Sequence, residues 1–256
     1  MQLNEINNQH VFDFKTDIST VNMPDILNNP FGNWIPEIGR MAAKEFQAFI
    51  ATQSINWTHD FSIHKGKMFG VLVIQCPDDS YGYLGTVSGK LEGNTNCPQF
   101  VPSVFNDSTG NYFINKEMRA LTEMGKTLKN EHSPVVSNAL KIERKQKSLN
   151  LQQWLFKQYR FLNLLGVEQD VLEIFKQSPH ANPPAAAGEC AAPKLLQYAL
   201  KQQLKPIAIA EFWWGASPKG MERKHESFYP ACKSKCRPIL EFMLDNYNLY
   251  NKANQG

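Results

Sequence analysis

The sequence predicts an α/β protein: a layered mixed sheet with flanking helices and an inserted helical hairpin. Three observations carry this reading. The run "KMFGVLVIQCPDDSYGYLGTVSGKL" pairs two apolar segments across Pro77-Asp78-Asp79-Ser80, the pattern of two strands and a turn. Residues 115–165 change to a helical period. From residue 191 to 247, helix, strand and helix signals alternate. The chain divides on this basis into a loop-rich lead-in plus helix (1–60), a core in two pieces (61–114 and 166–250) and a helical insertion (115–165).

In chain order, residues 1–35 are rich in Asn, Asp and Pro and read as loop. Pro36 opens a helix whose apolar stripe is Ile38, Met41, Phe46, Phe49 and Ile50. The strands are Met68–Gln75 and Tyr81–Ser88, and the glycines at 82, 85 and 89 suggest close packing or a bulge. Cys97–Phe113 reads as loop. "EMRALTEMGKTLKNEH" is a helix that Ser133-Pro134 ends or kinks. A longer one follows, with Leu151, Trp154, Leu155, Tyr159, Leu162 and Leu165 on one stripe and Gly166 as its C-cap. Its charged run "KIERKQK" is a solvated face. A third helix covers 168–177, and "SPHANPPAAAG" connects it to helix 191–204, strand Pro206–Trp213 and helix Arg237–Tyr247.

Composition bounds the function. The chain has 256 residues, 42% hydrophobic and 20% charged, enough for a sizeable core. A net charge of +3 permits nucleic-acid contact without demanding it. No apolar run approaches the roughly 18 residues of a membrane span, and the N-terminus lacks the pattern of a signal peptide. Five cysteines, an odd count without framework spacing, point to a reducing, cytoplasmic compartment.

Three of those cysteines carry the chemistry. Cys190 precedes a helix with Pro193 in its first turn, and Cys232 and Cys236 flank the start of another with Pro238 in its first turn. Thiols at helix N-termini are favoured as thiolates. Two such ends beside a strand can gather three sulfurs, a set that tetrahedral zinc accepts together with a fourth ligand. His225 and His180 are the candidate fourth ligands. Two readings stay open: bound zinc, or reduced thiols packed at helix ends. Cys76 and Cys97 read as small hydrophobes.

In "EFWWG" the adjacent Trp213 and Trp214 point to opposite faces, so one belongs to the core and the other can offer a stacking platform for a base. Lys219, Arg223, Lys224, Lys233, Lys235 and Arg237 surround them in sequence, either as a solvated loop or as a phosphate-contacting, RNA-binding patch.

Hairpin, helix opening on a ligand, strand, then Pro and two cysteines opening a helix: this order resembles the zinc-dependent nucleoside and nucleobase deaminases, over about residues 66–90 and 186–248. Two departures matter. Cys232 and Cys236 are separated by three residues where the family has two, with Ala231 between Pro230 and Cys232. Ala192 stands two after Cys190, where the family keeps its proton-shuttling Glu, and Glu189 is on the other side of the ligand. The resemblance thus implies a deaminase-like layered fold and zinc, without the family's catalytic carboxylate at its usual place.

Longer phrases resemble another family. "GKMFGVLVIQ", "GYLGTVSGKL", "QQWLFKQYRFLN", "PPAAAGECAAPKLLQYALKQQLKPIAIAEFWWGASPKG" and "FYPACKSKCRPIL" are similar to the N-terminal region of a subset of bacterial RluA-type RNA pseudouridine synthases, over about residues 30–245. The synthase domain of those enzymes carries its nucleophile in an Arg-Leu-Asp motif, which does not occur here. The resemblance implies an accessory region for RNA modification that recognises rRNA or tRNA, or docks a synthase domain in cis or in trans. The alternative is a zinc-dependent deaminase-like hydrolase or an inactive zinc-binding descendant of one.

Overall fold

A computed structural model describes residues 8–62, 66–93, 97–105, 108–179 and 181–244. The strands of the main sheet are β1 (Val11–Asp13), β2 (Lys67–Gln75), β3 (Tyr81–Val87) and β6 (Lys205–Trp214), in the order β1-β3-β2-β6. β1 lies in the lead-in that the sequence presents as loop; three residues are too few for a period-2 signal to stand out.

Every neighbouring pair in this sheet is antiparallel. The expected mixed pairing is therefore corrected. β3 and β6 do run parallel, as a helical crossover requires, but β2 lies between them and opposes both. β2 is buried over most of its length because both faces are covered, which is why it reads as one apolar run.

Alternate residues of the sheet feed two cores. Helix α1 (Glu37–Gln53) lies on one face and packs Ile38, Ala42, Phe46 and Ile50 against Phe69, Val71, Val73 and Phe212. A β-carbon at Gly85 would lie 2.4 Å from the Phe46 ring, so the glycine is the seat of that ring. The opposite face carries α5 (Ala191–Lys201) and α6 (Arg237–Met243), with Leu195, Leu196, Ile239, Leu240 and Met243 on Leu72, Ile74, Leu84 and Ile209. The result is three layers, helix on sheet on helix. The register of β2 against β6 shifts between Val73 and Ile74, opposite Ala208 and Pro206. Proline has no N–H to give the ladder, and a bulge accommodates it.

The insertion is a pair of long helices, α2 (Ser108–Asn130) and α3 (Pro134–Gln158). α3 ends earlier than its apolar stripe suggests. Tyr159 leaves the helix, and Arg160–Leu162 (β4) pairs with Glu168–Asp170 (β5) in a small hairpin. Asn163 forms its turn, with Oδ1 accepting from the N–H of Leu165 and of Val167. Gly166, at φ +80°, belongs to this turn and caps no helix. Residues 168–170 are strand, so the third helix, α4, is only Val171–Lys176, opened by an Asp170–Glu173 capping box. Residues 245–247, the expected end of α6, lie outside the described residues. No helix among the described residues is long and apolar enough to cross a membrane.

Candidate metal centre

The route of the chain beside β6 explains how the cysteines meet. After β6 it turns back along the edge of that strand. The N–H of Tyr229 donates to the carbonyl of Glu211, and Phe212 and Phe228 form a bridge. The N–H of Ala231 then donates to Pro30, which anchors the segment to the lead-in at 2.9 Å. Cys232 is thereby delivered to the head of α5, where Cys190 is the N-cap. A turn brings in Cys236, the N-cap of α6.

The sulfurs of Cys190, Cys232 and Cys236 lie within 4.8 Å of one another, with 3.2 Å between Cys232 and Cys236. Tetrahedral zinc with Zn–S bonds of about 2.3 Å sets sulfurs about 3.8 Å apart, so the spacing suits that ion. Cys236 is buried, Cys190 partly buried and Cys232 exposed. Contacts from the Cys190 and Cys236 thiols hold the Cys232 thiol well below its ordinary range. The same contacts, with burial, push Cys236 up; Cys190 is raised chiefly by its contact with Cys232. Thiols must release their protons to bind a metal, so occupancy of the site should depend on pH.

Among the described residues no His, Asp or Glu joins the three sulfurs in a metal-binding group. His225, the expected fourth ligand, is held elsewhere. Its Nδ1 accepts from the N–H of Gly215 at 2.9 Å, and its ring meets Trp214 edge-on at 4.3 Å. His180 lies outside the described residues.

Glu211 is the residue that sequence reasoning missed. It sits mid-strand in β6, paired with Gly70, and faces α5. Its Oε1 accepts from the N–H of Ala192 at 3.1 Å, the second residue after Cys190. Gly70 makes the room: a β-carbon there would lie 3.0 Å from Ala191, 3.2 Å from Leu195 and 3.5 Å from Glu211. Burial pushes the Glu211 carboxyl up to about 7, against the pull of the Ala192 N–H. A lone carboxylate in the apolar run "IAIAEFWW" was the available signal. Glu211 and Ala192 line a cavity of about 200 Å³ with Asn28, Phe228, Tyr229 and Pro230. Asn28 borders it as a side chain that imitates a strand, accepting from the N–H of Ile209 at 2.8 Å and donating to its carbonyl at 3.0 Å.

The other expected site residues divide. Trp214 is buried in the α1-side core, and Trp213 is half-buried with Nε1 donating to the carbonyl of Ala216 at 3.1 Å. The pair therefore offers no freely exposed stacking face. Lys219, Lys224 and Lys233 are exposed, and Lys235 is half-buried. Arg223 lies over the Tyr229 ring at 4.0 Å; Arg237 lies over Phe31 at 4.7 Å and meets Glu241 at 3.4 Å. Cys76 and Cys97 are partly buried against the two cores, apart from the trio.

Fold and site together define a three-layer α/β protein with a candidate Cys₃ centre. No family model, curated protein or solved structure matches the chain.

Proposed function

We propose that the chain is a zinc-dependent hydrolase of the deaminase type, which replaces an exocyclic amine of a nucleobase by oxygen. The observations that carry the reading are three clustered sulfurs, with Cys190 at the head of α5, and the Glu211 carboxylate, which is hydrogen-bonded to Ala192 there and lines a small cavity. The order of the core supports it too: hairpin, helix opening on Cys190, strand, helix opening on Cys236. Cys190, Cys232 and Cys236 would hold the metal. Zinc so held supplies Lewis acidity that brings the pKa of water towards neutrality.

Glu211 takes the part that Ala192 cannot. Fixed by the Ala192 N–H, its carboxylate accepts a proton from water and returns it to the departing amine, so the net reaction consumes water and releases ammonia. Burial, which raises this carboxyl in the metal-free chain, favours its taking up a proton. The cavity, about 200 Å³, is smaller than the roughly 300–1,000 Å³ clefts of drug-sized ligands and suits a single ring.

The purified chain should carry about one zinc per molecule and release ammonia from cytidine, free or within an oligonucleotide. Glu211→Gln should keep the zinc and slow ammonia release by at least about 100-fold, whereas Cys232→Ala should lose the metal. A chain purified without zinc overturns the reading. Zinc with no turnover on any of these substrates reduces it to a metal-stabilised fold.

A second reading has its own observation. Lys233 adjoins Cys232, Lys219 and Lys224 lie in the loop after β6, and all three are exposed. The region would then hold RNA for a pseudouridine synthase domain in cis or in trans. Binding to single-stranded RNA should fall with salt, with a log–log slope of about −0.7 per phosphate contacted. No affinity at low salt rejects this role.

A further inference from the structure

A second cavity, of about 550 Å³, shares no lining residue with the one at Glu211. Its polar lining includes Glu189 and Lys194, on either side of the first turn of α5, and His10 from the lead-in. Glu189 is held in place: its Oε1 accepts from Ser103 Oγ at 2.6 Å and from the Tyr159 hydroxyl. Its Oε2 is buried and has no partner. Lys194 is only 3% exposed, and its ammonium donates to the Val87 carbonyl at 2.5 Å. The Nδ1 of His10 is likewise buried without a partner.

Of the four buried side-chain polar atoms left unpartnered among the described residues, two belong to residues that line this one cavity. Folded proteins pair such atoms as a rule, because an orphaned buried one keeps its full desolvation penalty. Two in one cavity, beside a buried ammonium with donors to spare, define a complementary partner. Glu189 Oε2 asks for an N–H or O–H donor. Lys194 asks for an acceptor next to it. Phe100 and Phe105 supply apolar wall.

We propose that this cavity binds a heterocyclic lactam, a planar ring with an N–H beside a C=O, as uracil and guanine carry. The ring N–H donates to Glu189 Oε2, Lys194 donates to the ring carbonyl, and the aromatic walls cover the ring. Free nucleosides and nucleic-acid bases present the same edge. The inference does not rest on the metal: its residues are neither thiols nor Glu211.

Calorimetric titration of the full chain with uridine and with guanosine tests it. At least one should bind saturably, and its N-methyl counterpart (3-methyluridine or 1-methylguanosine), which lacks the N–H, should bind at least about tenfold more weakly. Lys194→Met should lose affinity by a similar factor while its melting transition shows it folded. The methyl comparison uses the unaltered chain, so it decides the matter even if that variant does not fold. Tighter binding of a uridine- or guanosine-bearing oligonucleotide than of the nucleoside would identify nucleic acid as the source. The proposal is overturned if neither nucleoside saturates, which would leave water as the occupant, or if methylation leaves binding unchanged.

Discussion

Glu211 shows how one residue can restore a chemistry that the local sequence has lost. The helix position two after Cys190 is alanine, but the carboxylate hydrogen-bonded to that alanine's N–H comes from the neighbouring strand. Such a substitution across elements is invisible to spacing, because Cys190 and Glu211 are linked only through the register of α5 on β6. Burial also gives the residue a pH signature. Its carboxyl rises from an ordinary 4.5 to about 7, so the folded state binds a proton that the unfolded state releases between those values. Stability of the metal-free chain should therefore fall as pH rises from about 4.5 to 7, by about 3 kcal/mol from this group alone. Denaturant titrations at several pH values check this, and Glu211→Gln should flatten the slope. Asn28 is the other single residue with a large expected effect. Replacing it by alanine leaves the Ile209 backbone groups at a buried strand edge unpaired, at a cost of about 1–3 kcal/mol measurable by the same titration.

At the scale of elements, the legible parts were those with strong, long periodicity. Helix α1, the hairpin β2–β3, helix α5 and strand β6 all stand close to where their apolar patterns place them, because each buries a continuous face. The failures share a cause. Residues 159–165 continue the apolar stripe of α3, yet tertiary contacts bend them into a hairpin: Phe161 is fully buried, and the Arg160–Glu168 pair closes the ladder at 2.8 Å. Periodicity reports which side chains want burial, not which backbone brings it about. The insertion is weakly anchored to the core. α3 buries only Leu151 and Phe156, both near its end, whereas α5 buries most of its length. Amide hydrogens of α2 and the first half of α3 should exchange orders of magnitude faster than those of β2 and α5, as native-state exchange followed by mass spectrometry would show.

For the molecule as a whole, the sheet is a partition. Its α1 face is an aromatic core in which Phe46 meets Phe69, Phe100 and Phe212 within 6.3 Å, and Phe100 also walls the second cavity. The α5 face carries the chemistry: the sulfurs and Glu211 converge there, and Glu189 and Lys194 flank the same helix end. Phe46→Ala should destabilise the chain by about 3–5 kcal/mol without altering zinc content per folded molecule, which melting and elemental analysis together would establish. The cysteine trio was legible from helix ends and spacing alone. The two cavities were not, since each assembles residues from the lead-in, the strands and the loops far apart in sequence.

The closeness of Cys232 to Cys236 has a consequence for redox behaviour. One sulfur is exposed, and the other is buried 3.2 Å away. A two-electron oxidant such as diamide would join the two thiols as a disulfide, their two hydrogens passing to the diamide, which becomes its hydrazine. That bond would remove two of three metal ligands at once. Zinc would thus act as a protecting group for these sulfurs: the metal-free chain should lose two free thiols to diamide rapidly, and the zinc-loaded chain slowly, in a thiol count over time.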